Sequence, residues 1–215
     1  MAIESEAGRR AATLRGRWTS GSTAGNQELT AITAISLLIL LAALGVTILR
    51  VHQLLDPHMF IGMLLLGPVV LKMASTGYRF ARYYTRSEPY VRKGPPPLAL
   101  RLSAPIVVLS TIAVFGTGVV LLVAGPSVRS PFVALHKLSF IVWVAFMALH
   151  VLGHLQELPH ALRASRERDR PWDDHGSGSG ARALALAGSL AAGVLLAILV
   201  IPLFGSWAHI SALSH

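Results

Sequence analysis

Four residues, set in two pairs, carry most of the chemistry this chain can offer. His58 and Lys72 lie in one apolar stretch, and His136 and His150 lie in another. In both pairs the spacing is fourteen residues. On a helix that is about 1400°, which leaves the two members within roughly 40° of one face and about 21 Å apart. Ionisable side chains in apolar segments are costly and face a partner, a cavity or a cofactor. Two histidines on one face, one towards each end of a membrane span, is a layout that can hold haem iron at two depths. A low-spin haem b takes two neutral imidazoles across its iron, each oriented by an acceptor behind it. His154, four residues after His150, adds a spacing at which two imidazoles on one helix face can bind a metal. No third ligand accompanies that pair.

The elements that must position these residues are long and apolar. Thr30 to Leu49 contains no charge and is long enough to span a bilayer. Asp56 is expected to cap a second span and Pro57 to begin it, with Gly67-Pro68 kinking it further on. A basic, proline-rich connector, Arg79 to Arg101, leads to a third span, Leu102 to Val128, with Gly116 and Gly118 in its later half. Gly125-Pro126 and Pro131 should bracket a short loop before the fourth span, LHKLSFIVWVAFMALHVLGHLQE from Leu135. Ala183 to Trp207 makes a fifth span, rich in Ala and Leu and free of intramembrane ionisable groups.

Composition agrees with this reading. Of the 215 residues 53% are hydrophobic and 13% charged, about half the charged share of a soluble domain. Cysteine is absent, which removes disulfides, iron–sulfur ligands, thiolate zinc sites and haem attached through C-x-x-C-H. A formal net charge of +9 could suggest nucleic acid, but the positive residues gather between the apolar segments and read as topology signals. Nucleotide, flavin and nicotinamide fingerprints are missing, as is a nucleophile with a base.

Fifteen of the nineteen Lys and Arg fall in three segments that alternate with the spans. Four lie in the N-terminal tail, six between Arg79 and Arg101, and five between Arg163 and Arg182. Only Arg50, Arg129 and Lys137 lie on the other side. The positive-inside rule then puts the N-terminus in the cytoplasm and the C-terminus outside. His58 and His136 come out at matching outer depth on different helices, while Lys72 and His150 fall in the cytoplasmic half. Gly116 and Gly118 lie in the outer half, where missing side chains leave room for a flat macrocycle.

The second-span H-x-x-x-G (His58, Gly62), the residue fourteen further on, the small-residue third span and the double-histidine fourth span together resemble the membrane b-type cytochromes. The class is the cytochrome b561-like one that includes the cytochrome b subunits of bacterial dehydrogenases, and the likeness covers roughly Val51 to Pro159. The resemblance implies an all-α integral membrane protein with a four-helix transmembrane haem-binding bundle, and residues 30–158 would form it. It implies haem b ligated by His58 and His136, with His150 as half of an inner pair. Lys72 stands where a two-haem relative has its fourth histidine, so one haem is expected and a second is open. The function implied is electron transfer with a quinone or redox protein, as a component of an oxidoreductase. A disordered cytoplasmic tail (1–29), a basic cytoplasmic loop (159–182), and a peripheral fifth helix with a short outer tail (183–215) complete the expected plan. The whole is set in a bacterial-type cell membrane and in contact with its lipid.

Plainer readings stand beside these. His58 and His136 could be wet interfacial residues, and His150 could hydrogen-bond a backbone carbonyl. Lys72 could snorkel to the surface or pair with a haem propionate or a lipid phosphate. The chain could also be a small transporter or a cofactor-free scaffold. A proton-coupled transporter usually carries Asp or Glu at mid-membrane, whereas Asp56 and Glu157 stand at span ends.

Overall fold

In a computed structural model the described residues are 23–88, 91, 98–124, 126–155 and 179–207. They form five long helices: α1 (Thr23–Leu49), α2 (Leu55–Tyr84), α3 (Leu98–Val123), α4 (Pro126–Leu155) and α5 (Ser179–Val200). A 3-10 turn, Ile201–Leu203, follows α5. Each helix contains a stretch long and apolar enough to cross a bilayer, so this is a multi-pass membrane protein. Most of the tail, the Gly94–Pro97 link, most of the 159–182 loop and the outer tail after Trp207 lie outside the described residues.

Helix ends depart from expectation where local chemistry overrides hydropathy. α1 begins at Thr23, inside the segment expected to be disordered, because extending a formed helix by one residue is far easier than nucleating it. Leu54, not Asp56, is the N-cap of α2, and it offers no side-chain cap; Asp56 and Pro57 already lie in the first turn. Where a loop through Pro131 is expected, α3 runs to Val123 and α4 already begins at Pro126. Pro126 begins α4, where its missing N–H costs nothing, and Pro131 is absorbed into the helix. So short a join makes α3 and α4 antiparallel neighbours. At its far end α2 closes with Arg86 at φ 57, where Ser87 N–H donates to Arg82 O and Arg86 N–H to Tyr83 O.

The helices associate in two groups. α2 packs against α1 and still more extensively against α5, whereas α3 and α4 form a closely packed hairpin that meets α2 only lightly. The fifth helix is therefore not peripheral. A Cβ added at Gly67 would collide with the backbone carbonyl of Ser189, and one at Gly193 with that of Leu64. Ser189, Gly193 and Ala197 recur every four residues on α5, and this small-residue stripe lets the two backbones approach closely in lipid. The stripe, not the absence of ionisable groups, decides where α5 sits. Beside it Met63, Leu122, Ala197 and Phe204 make the buried core.

Candidate functional site

The turns α1–α2 and α3–α4 lie at the same end of the molecule, and each hairpin builds the same small device there. In the first, Thr47 of α1 is 5% exposed and its hydroxyl donates to Leu44 O at 2.6 Å. The same oxygen stands 3.0 Å from His58 Nδ1 of α2. In the second, Thr117 of α3 is 7% exposed and its hydroxyl donates to Ala113 O at 2.7 Å, while its oxygen stands 3.0 Å from His136 Nδ1 of α4.

A hydroxyl has one proton to give. In both relays the backbone carbonyl of the preceding turn takes it, so the proton of the Thr–His bond comes from the ring. The network thus assigns the Nδ1–H tautomer to both histidines and leaves the lone pair on Nε2. The threonine is the acceptor behind the imidazole that a metal-ligating histidine requires.

His58 and His136 are each half-buried. Their helices, α2 and α4, barely touch directly. The surroundings are mixed with respect to a flat macrocycle. Gly62, one turn from His58, and Gly116 both have open space where a side chain would begin. A Cβ on Gly118 would instead stand 3.4 Å from His136 Cε1, so this glycine makes room for the imidazole itself.

The opposite end is built differently. Lys72 Nζ donates to Thr30 O of α1 at 2.8 Å, and the Thr30 hydroxyl donates to Ser75 Oγ at 3.3 Å, a second tie between the same two helices. Its ammonium is engaged with the α1 backbone rather than brought to either His58 or His136. His150 is half-buried on α4, and His154 lies in the last turn of that helix. Among the described residues no group of three or more His, Asp or Glu stands close enough to hold a metal ion.

Several contributors escaped sequence reasoning. Thr47 and Thr117 read as ordinary polar residues in apolar spans, although each lies within two turns of its helix's end and shortly before a histidine. Trp143 and Thr111 form a further tie within the α3–α4 hairpin, with Trp143 Nε1 donating to Thr111 Oγ1 at 2.9 Å. Arg129 joins α4 to the end of α5 through Ser206. No family model, curated protein or solved structure matches the chain.

Proposed function

We propose that the protein binds one haem b between His58 and His136 and passes electrons in the membrane, with a quinone or a redox protein as partner. The observation that carries the reading is the pair of matched Thr–His relays at one end of the two hairpins. Two histidines that were merely wet would not each need a buried hydroxyl fixing the same tautomer.

In this reading Thr47 and Thr117 hold the rings, His58 and His136 offer Nε2, and Gly62 and Gly116 leave space beside them. Bound there, haem b supplies a one-electron iron centre in an apolar setting. The charge asymmetry of the loops supports a cytoplasmic N-terminus, with this site in the outer half of a bacterial-type cell membrane. The likeness to cytochrome b561-type proteins supports the same assignment of His58 and His136. Lys72, engaged with α1, fits a single haem. The chain's own part is to bind, orient and exclude water; any substrate conversion would belong to a partner.

Purified protein is expected to show a reduced b-type absorption spectrum and about one haem per chain on extraction. His58→Ala and His136→Ala should each abolish that spectrum, while His150→Ala leaves it largely intact. A six-coordinate spectrum surviving in either of the first two variants would remove the ligand assignment, and protein that takes up no haem would remove the function.

A further inference from the structure

Haem b carries two carboxylates, its propionates, and in an apolar setting an ionised carboxylate calls for a cation. Three Lys or Arg side chains stand among the described residues at the hairpin end: Arg50, Arg129 and Lys137. Arg129 is already engaged, with both terminal nitrogens donating to Ser206. Arg50 and Lys137 are exposed, and neither side chain has a hydrogen-bond or ion-pair partner among the described residues. Asp56, the described carboxylate at this end, pairs with neither. Lys72 is spent at the opposite end, where its ammonium donates to Thr30 O.

The two unengaged cations flank the two relays. Arg50 is held in register with the first by its backbone: its N–H donates to Thr47 O at 3.3 Å, and its carbonyl accepts from Leu54 N–H at 2.9 Å. Leu54 O in turn accepts from His58 N–H at 2.9 Å, so one ladder runs from Thr47 through Arg50 to His58. Lys137 follows His136 directly. It lies inside an apolar stretch of α4 with Leu135, Leu138 and Ile141 exposed around it, and a charge among such neighbours needs a partner. Side chains on a helix lean towards its N-terminus, so that of Lys137 leans back towards the α3–α4 turn, the end at which Arg50 lies. We propose, on the reading that His58 and His136 hold haem b, that Arg50 and Lys137 each hold one of its propionates. Arg50 offers a fork of N–H groups that matches a carboxylate, and Lys137 offers a point charge on a long stem. The propionate edge of the haem then faces the hairpin turns.

Full-length protein purified without haem is reconstituted with haem b or with its dimethyl ester, which has the same ring and iron but no carboxylate charge. Loss of the porphyrin to excess apomyoglobin is then followed by absorption. The wild type should hold haem b about 100-fold more tightly than the ester, from two charge-assisted pairs at about tenfold each. Arg50→Gln and Lys137→Gln should each weaken retention of haem b by about tenfold and leave retention of the ester unchanged. Arg50→Lys and Lys137→Arg should keep most of the wild-type retention. The wild-type comparison needs no substitution, so it decides the matter should a variant fail to fold. Equal retention of haem b and the ester by the wild type, or glutamine variants that lose both alike, would overturn the propionate assignment. Neither result disturbs the ligand pair while the six-coordinate spectrum persists. Wild-type protein that takes up neither porphyrin would remove the ligand pair, and the propionate assignment with it.

Discussion

The seam between α2 and α5 and the seam between α3 and α4 are both tight, yet they are held by different physics. At its closest point the α2–α5 seam has no side chains: Gly67 meets the Ser189 carbonyl and Gly193 the Leu64 carbonyl. In lipid, apolar side chains gain little by leaving acyl chains for each other, so backbone proximity and dense van der Waals contact drive such a crossing. The α3–α4 seam is tied by hydroxyls, through Thr111 to Trp143 and Thr117 to His136. His58 and Gly67 are nine residues apart, about 900° of helix, which puts them on opposite faces of α2. α5 therefore fixes α2 from behind, while His58 faces away from α5 and meets Thr47 of α1. One seam sets position, and the other sets both position and the direction of a lone pair.

The largest way to break this comparison is to fill the glycine seam. Gly193→Leu must push α2 and α5 apart, since its Cβ would meet the Leu64 backbone rather than a movable side chain. A loss above about 3 kcal/mol is expected, enough to remove most folded protein. The readout is the monodisperse fraction on size exclusion and the midpoint of thermal unfolding. Wild-type behaviour in Gly193→Leu would mean that the close crossing does not exist.

Next in size are the relays. Thr117→Val keeps the shape of the side chain but removes the acceptor behind His136, and Thr47→Val does the same for His58. With haem held as proposed, each should lower its affinity by about 10- to 100-fold, the usual cost of losing a partner behind a metal ligand, and should shift the midpoint potential. Thr117→Ser and Thr47→Ser should restore both. A purely structural role would change stability in the valine variants and leave potential and affinity unmoved.

Much of this architecture can be read from the residues, and the missing parts share one cause. The five spans are legible because length and hydropathy alone decide whether a segment crosses a bilayer. His58 and His136 stand out because an imidazole is conspicuous among leucines. Thr47 and Thr117 do not, since a threonine in a span can satisfy its own hydroxyl on the preceding turn, and only the rotation of the helix shows which neighbour uses its oxygen. The place of α5 was misread for a related reason. Gly67 beside Pro68 suggests a kink, and Gly193 is unremarkable in an Ala-rich helix. The Ser189–Gly193–Ala197 stripe was the available signal, and it points towards a partner helix rather than away from one.

The smallest expected effect separates the two hydroxyls of the α3–α4 seam from each other. Thr111→Val removes the acceptor of the Trp143 N–H, and Trp143 is 9% exposed, so the indole loses its partner in an apolar setting. In water-soluble cores an orphaned donor costs about 1–3 kcal/mol. Hydrogen bonds between membrane helices average nearer 0.6 kcal/mol, because the separated helices find other partners. A fall of about 0.6–1.7 kcal/mol is therefore expected, read as a modest drop in the unfolding midpoint. Trp143 and His136 are seven residues apart and share a face of α4, so the two ties are close neighbours of the same kind. They differ in what they hold: Thr111 holds an indole, which has no lone pair to aim, and Thr117 holds an imidazole, which does. Thr111→Val should accordingly leave haem affinity and midpoint potential at wild-type values while stability falls. If the potential moves as far in Thr111→Val as in Thr117→Val, the seam acts on the site only through packing, and the Thr117 relay has no special claim on His136.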